Sequence, residues 1–260
     1  VRKDVVYQTA VSPPLPLDLY YPPNHVAGEP KAAVLFIHGQ APPEILFDAK
    51  EWGQYVSWGQ LAASIGLIGI TFTYRSSHWF SKLDEVLADL EGVFTAVFQN
   101  AKAWDIDPNR LGVWCCSGGA PTGLRLALFE KRQQVRCVAS YYGRTDLTLL
   151  ADVANDEANP MPPVTTPRDT LEAFSPLRLL RQEPNPTSLP PLFIARGGAD
   201  DLPGVNASID AFVAEAIRKN VRLELHNHPT GEHGFDTDDA DPHSQHIVRQ
   251  TLTFFQTYLL

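Results

Sequence analysis

Leu111-Gly112-Val113-Trp114-Cys115-Cys116-Ser117-Gly118-Gly119-Ala120 is the stretch on which the fold turns. An apolar run of strand character stops at a hydroxyl, two glycines follow, and a helix-like stretch, Leu124 to Glu130, comes next. Strand, sharp turn and helix in that order push a serine out above a parallel sheet and hold it at a helix N-terminus. Small residues must flank such a turn. With Ser117 at its tip, the positions two before and two after are Cys115 and Gly119. With the rival nucleophile Cys116 at the tip, the bulky Trp114 would occupy the first of those places. Sterics therefore favour Ser117, although a thiol would serve the same chemistry.

Working outward, strand-length apolar runs recur. They are Leu17–Tyr21, Ala32–Ile37, Leu67–Tyr74, Leu111–Cys116, Arg136–Tyr142, Leu192–Ala195 and Val221–His226. Several are unbroken, as suits strands buried on both faces. Between them lie helical stripes. Leu83, Val86, Leu87, Leu90, Val93, Phe94 and Val97 form one; Ile209, Phe212, Val213, Ala216 and Ile217 another; Ile247, Val248, Leu252, Phe255 and Leu259 the last. This alternation predicts an α/β fold, a mostly parallel central sheet with helices on both faces. The first two runs share only a short link and are expected to form an antiparallel edge. The segment at about 144–190 breaks the rhythm: nine of the 22 prolines lie between Pro160 and Pro191. Proline at that density stops long helices and central strands. The segment reads as a small cap inserted in a single domain spanning 1–260, or as a rigid surface loop.

Composition narrows the function. A net charge of −9 with scattered Lys and Arg argues against a nucleic-acid surface. No apolar run has the length of a membrane span. Three cysteines, two of them adjacent, do not make a disulfide framework and point to a reducing, cytoplasmic setting. The N-terminus, Val1-Arg2-Lys3-Asp4, has neither a signal-peptide core nor an initiator Met, which leaves a trimmed or processed chain open. A homo-oligomer is equally open.

A nucleophile needs a base, an acid and an oxyanion hole. Phe193-Ile194-Ala195-Arg196-Gly197-Gly198-Ala199-Asp200-Asp201 is a strand leading through a glycine turn to two carboxylates. At the C-terminal end of a parallel strand such a loop faces the ligand crevice. Asp200 is the candidate orienting acid and Asp201 the alternative, the latter better suited to capping the next helix. His233 stands in Gly231-Glu232-His233-Gly234-Phe235, a loop between the last strand and the last helix, where an imidazole can reach over the sheet end. Of the other histidines, His226 and His228 belong to the strand end, His243 and His246 to the start of the final helix, and His25 and His78 have no supporting context. His38-Gly39-Gln40-Ala41 follows the first strong core strand. The backbone N–H of Gln40, or of Ala41, would join that of Gly118 as oxyanion donors, each worth on the order of 3 kcal/mol. Trp79 and Phe80 either line a substrate pocket or pack beneath the cap.

In this order the motifs resemble an α/β-hydrolase, near the dienelactone hydrolases and small serine carboxylesterases. The matching stretches are Asp18-Leu19-Tyr20-Tyr21-Pro22, Val34-Leu35-Phe36-Ile37-His38-Gly39, Asp107-Pro108-Asn109-Arg110-Leu111-Gly112-Val113, Ser117-Gly118-Gly119, Gly197-Gly198-Ala199-Asp200 and His233-Gly234-Phe235. The resemblance implies a serine esterase acting on small or medium esters or lactones through an acyl-enzyme. It implies Ser117, Asp200 and His233 as the triad and no cofactor. Cys115 in place of the usual glycine and Gln40 in place of a further glycine depart from the pattern. Dienelactone hydrolases use a cysteine, so Ser117 moves the chain toward ordinary esterases.

Other readings are a peptidase or thioesterase on the same fold, and a noncatalytic hydrolase-fold binding protein. A metallohydrolase using His226, His228 and His233 is a further one. The metal reading is weakened because Pro229, Thr230 and Gly231 stand where a metal-binding H-x-H motif would continue with an Asp and a His.

Overall fold

The apolar runs become the middle of one eight-stranded sheet in the computed structural model, which describes residues 1–150, 164–238 and 240–260. The strands are β1 (Arg2–Gln8), β2 (Leu15–Tyr20), β3 (Lys31–Ile37), β4 (Ile68–Phe72), β5 (Ile106–Cys116), β6 (Val135–Tyr141), β7 (Leu192–Gly197) and β8 (Leu223–His228). Their order is β1-β2-β4-β3-β5-β6-β7-β8. From β4 to β8 every neighbouring pair is parallel. The carboxyl ends of β3, β5, β6 and β7 therefore open on one edge.

The pairing at the other end differs from expectation. The antiparallel edge exists, but β2 does not pair with β3. It lies between β1 and β4, antiparallel to both. The chain leaves β3, passes through the helix Gly53–Ser64 and returns as β4 on the β2 side, so β4 separates the two. Strand β1 carries no apolar alternation, and its residues are exposed or half-buried.

Period-two alternation assigns side chains to two cores. Ala33, Leu35 and Ile37 of β3 join Val113 and Cys115 of β5 on one face, packed against Val86, Leu90 and Val93 of the helix Leu83–Asn100. Ile209 and Phe212 of the helix Val205–Arg218 complete that side. Val34, Phe36, Trp114 and Cys116 face the other way, toward Trp58 of the helix Gly53–Ser64 and Phe254, Phe255 and Leu259 of the helix Pro242–Leu259. Helix Gly53–Ser64 sits unusually close to the sheet. A Cβ on Gly69 would lie 2.6 Å from the Gly59 carbonyl oxygen, so neither glycine tolerates a side chain there.

The proline-rich segment holds two short helices, Arg168–Ala173 and Pro176–Gln182, each opened by a proline at or just before its first residue. Leu147, Leu150, Leu171 and Phe174 gather around Phe80 in a small third core. Residues 151–163, where the expected cap also runs, lie outside the described residues.

Candidate active site

Strand β5 delivers the serine. Cys116 is fully extended (φ −137°, ψ 159°), and the next residue, Ser117, turns to φ +50°. A non-glycine residue in that region stores about 1 kcal/mol or more of strain, which the surrounding packing must hold. The constraint is visible in the glycines. A Cβ on Gly119 would stand 2.0 Å from the His38 carbonyl oxygen, and one on Gly118 would stand 2.8 Å from Cβ of Gln40. The end of β3 is thus pressed onto the turn after β5. A 3₁₀ turn, Ser117–Gly119, and the helix Ala120–Leu124 follow, continuing as a π-helix over Arg125–Glu130.

Ser117 Oγ lies 2.7 Å from Nε2 of His233, and Nδ1 of His233 lies 2.7 Å from Oδ2 of Asp200. The Asp200 side chain is fully buried and its Oδ1 accepts the Leu202 amide at 3.0 Å. With Nδ1–H donating to the carboxylate, Nε2 is left as the acceptor of the serine hydroxyl. The three residues that the sequence suggested from distant loops meet in one hydrogen-bonded line. Asp201 is exposed, and the helix it was suited to cap begins instead after Gly204, with no side-chain cap.

Gln40 lies beside Ser117 and Gly118, its backbone nitrogen 3.4 Å from where a Gly118 Cβ would be. Its side-chain Oε1 accepts the Ser77 amide at 2.6 Å, tying this loop to the one after β4. His38 beneath it is buried and neutral. Burial pulls its imidazole down to about 4, against the pull of the Gly39 carbonyl 2.6 Å from Nδ1. Tyr74 stacks on it at 3.8 Å between ring centres.

A cavity of about 390 Å³ opens over Ser117 and His233. Trp79 and Phe80 both line it. They play different parts: Trp79 is 42% exposed, while Phe80 is buried in the third core as well. His78, Trp79 and Phe80 are successively left-handed (φ +46°, +56° and +68°), a costly run for non-glycine residues. Ser77 Oγ and Thr166 Oγ1 hold it through bonds to the Phe80 amide and carbonyl.

Sequence reasoning missed Ser77, Arg144 and Leu202 in the cavity wall. Arg144 is buried, and its Nη1 donates to the Pro203 carbonyl at 2.6 Å. Burial lowers its guanidinium to about 10, with the Asp200 charge working the other way. It sits three residues past the end of β6, at the same sheet edge as Ser117, and that position was the signal to read.

The rival chemistries lose their geometry. Cys116 points into the second core, within 3.5 Å of the Tyr55 hydroxyl, and burial pushes its thiol well up. The three histidines of the metal reading do not converge. His226 stacks on Phe193, His228 bonds Asp241 at 3.0 Å, and His233 is engaged by Ser117 and Asp200. Among the described residues the one cluster with metal-ligand spacing is Asp4, Asp18 and Glu51, on the far edge of the sheet. Lys50 bonds all three of its members.

Residues 71–260 match the prolyl oligopeptidase family of peptidases, well over half of the chain. The chain belongs to the prolyl oligopeptidase family. The matched region contains Ser117, Asp200 and His233; His38-Gly39-Gln40 precedes it. Nothing ties the chain specifically to the dienelactone hydrolases. No curated protein matches it significantly. Solved structures similar to it include an esterase of the planctomycete Thermogutta terrifontis. In native form that protein is 18% identical with a TM-score of 0.75, covering 99% of this chain and 93% of that one. In its butyrate-bound form the figures are 18%, 0.74, 99% and 95%. Phosphonylated by cyclosarin it is 17% identical with a TM-score of 0.74, over 99% and 95%. At these identities the likeness establishes the α/β-hydrolase fold.

Proposed function

We propose that this member of the prolyl oligopeptidase family is a serine hydrolase of small carboxylic esters, with Ser117 as nucleophile, His233 as general base and Asp200 as orienting acid. The observation that carries the reading is the unbroken Ser117–His233–Asp200 line, 2.7 Å at each link, opening on a cavity. His233 takes the hydroxyl proton as Oγ attacks the ester carbonyl. Asp200 holds the tautomer and stabilises the imidazolium. The Gly118 and Gln40 amides face the developing oxyanion, worth about 3 kcal/mol each. The protonated His233 then gives its proton to the leaving alcohol. Water repeats the cycle on the acyl-enzyme and frees the acid. No step calls for a cofactor.

A largely apolar wall of Trp79, Phe80, Leu202 and Ala41 suits a compact acyl or alcohol group. The similar solved structures include an esterase holding butyrate, which supports the same class of acyl chain. The described part of segment 144–190 wraps Phe80, which supports a role as cover to this wall within one domain. Three free, buried cysteines support a reducing, cytoplasmic setting. The family's own description favours peptide amides as the second reading. A panel of p-nitrophenyl esters, thioesters and peptide amides separates the two. The ester reading expects short-chain esters to be turned over fastest, with the activity abolished in His233→Ala. Faster cleavage of peptide amides than of any ester contradicts it.

A further inference from the structure

His233 is held by more than its two hydrogen bonds. Its ring lies 4.6 Å from that of Tyr142, tilted by 58°. Tyr142 is buried and itself strained, at φ +36°. Its place is fixed at the other end: the hydroxyl donates to Oδ1 of Asp236 at 2.6 Å and accepts from Nε2 of Gln54 at 2.7 Å. Asp236 follows His233 by three residues. Its Oδ2 accepts Nε1–H of Trp58 at 2.8 Å and Nε2–H of Gln54 at 3.0 Å. Phe235 between them is sunk into the second core. One short turn therefore carries the base and an anchor that ties it to the helix Gly53–Ser64.

We infer that Asp236 is a positioning residue for the hydrolase: it holds the His233 turn and, through Tyr142, the wall against which the imidazole rests. The inference builds on the triad reading above. The physical case is that a half-buried carboxylate beside a buried wall is costly unless it is well bonded. Burial raises the Asp236 carboxyl, while the bonds from Tyr142, Gln54 and Trp58 oppose that rise. Three donors from two other elements converge on it at the site's margin, where neither oxygen contacts Ser117 or Asp200. A loop imidazole displaced by about 1 Å loses proton-transfer geometry, and such misplacement costs up to about 100-fold in rate.

The test uses Asp236→Asn and Tyr142→Phe in the full chain, with the rate of fluorophosphonate labelling per folded molecule and the kcat and KM for a p-nitrophenyl ester. Asp236→Asn is expected to lower kcat and the labelling rate together, by ~10- to 100-fold, with KM little changed. Tyr142→Phe keeps the ring and loses the anchoring bond, so a smaller fall of about threefold to tenfold is expected. Should Asp236→Asn fail to fold, the Tyr142→Phe result decides. Folded variants that label and turn over at the wild-type rate overturn the inference, as does a loss confined to thermal stability or to KM. A wild-type protein that takes no label would instead defeat the triad reading, so the two failures are distinguishable.

Discussion

Two clusters of charge sit at different edges of this sheet. At the β1–β2 edge, Lys50 bonds Asp4 at 2.9 Å and Asp18 at 3.0 Å and also meets Glu51. The Asp18 side chain is fully buried and that of Lys50 is nearly so. At the carboxyl edge, Asp200 is just as buried, yet its partner is an imidazole that ends on a hydroxyl and a cavity. The first cluster closes on itself: the buried Lys50 and Asp18 neutralise each other, and the solvent-facing Asp4, Glu51 and Lys3 complete the network. The second spends backbone strain at Ser117, and in the run from His78 to Phe80, to leave one acceptor pointing outward. Buried charge alone thus marks structure. Buried charge aligned toward a strained residue and an open volume marks chemistry.

Substitutions should separate the two clusters cleanly. The largest effect is expected at Ser117. Ser117→Ala should cost ~10⁴-fold or more in ester turnover, with melting temperature nearly unchanged, as read by assay and calorimetry. Next comes Asp200→Asn, which permits the wrong imidazole tautomer and should cost on the order of 10³- to 10⁴-fold in kcat.

At the β1–β2 edge the loss should fall on stability instead of turnover. Lys50→Met leaves the buried Asp18 with only the half-exposed Lys3 ammonium, 3.8 Å from its Oδ2, and should destabilise by up to ~3 kcal/mol in denaturant melts. The kcat of the remaining folded protein should not change. A large loss of kcat there would break the contrast between the two clusters.

A pH-dependent effect sharpens it. His38 titrates at about 4 when folded and near 6.5 when unfolded. Between those values the unfolded chain binds a proton that the folded chain refuses. Stability therefore falls as pH drops from 6.5 to 4, by up to about 3 kcal/mol. The slope of melting temperature over that window should flatten in His38→Asn.

How much of this was legible depended on where each residue's partners lie in the chain. Ser117 announced itself locally, because a strand, a hydroxyl and two glycines are neighbours in sequence. Asp200 and His233 were legible through their order and their glycine turns. The runs that became β3, β5 and β7 are buried on both faces, so hydrophobicity alone marked them. Strand β1 could not be seen, since an exposed edge strand needs no apolar face. The β2–β4 pairing was hidden because strand order follows the crossovers and not the sequence. Tyr142 and Arg144 were passed over because they close a strand at the start of a proline-rich stretch, and only the sheet's edge makes them part of the site. Asp236 reads as one more acid in an acidic run, Asp236 to Asp241, until Trp58 and Gln54 arrive from far upstream.

The central claim is that Ser117 attacks the substrate. Fluorophosphonate labelling of the native protein, followed by peptide mass mapping, tests it directly. The account predicts a single stoichiometric adduct on Ser117, abolished in His233→Ala. An adduct on Cys116, or full ester hydrolysis by a protein that takes no label, contradicts it.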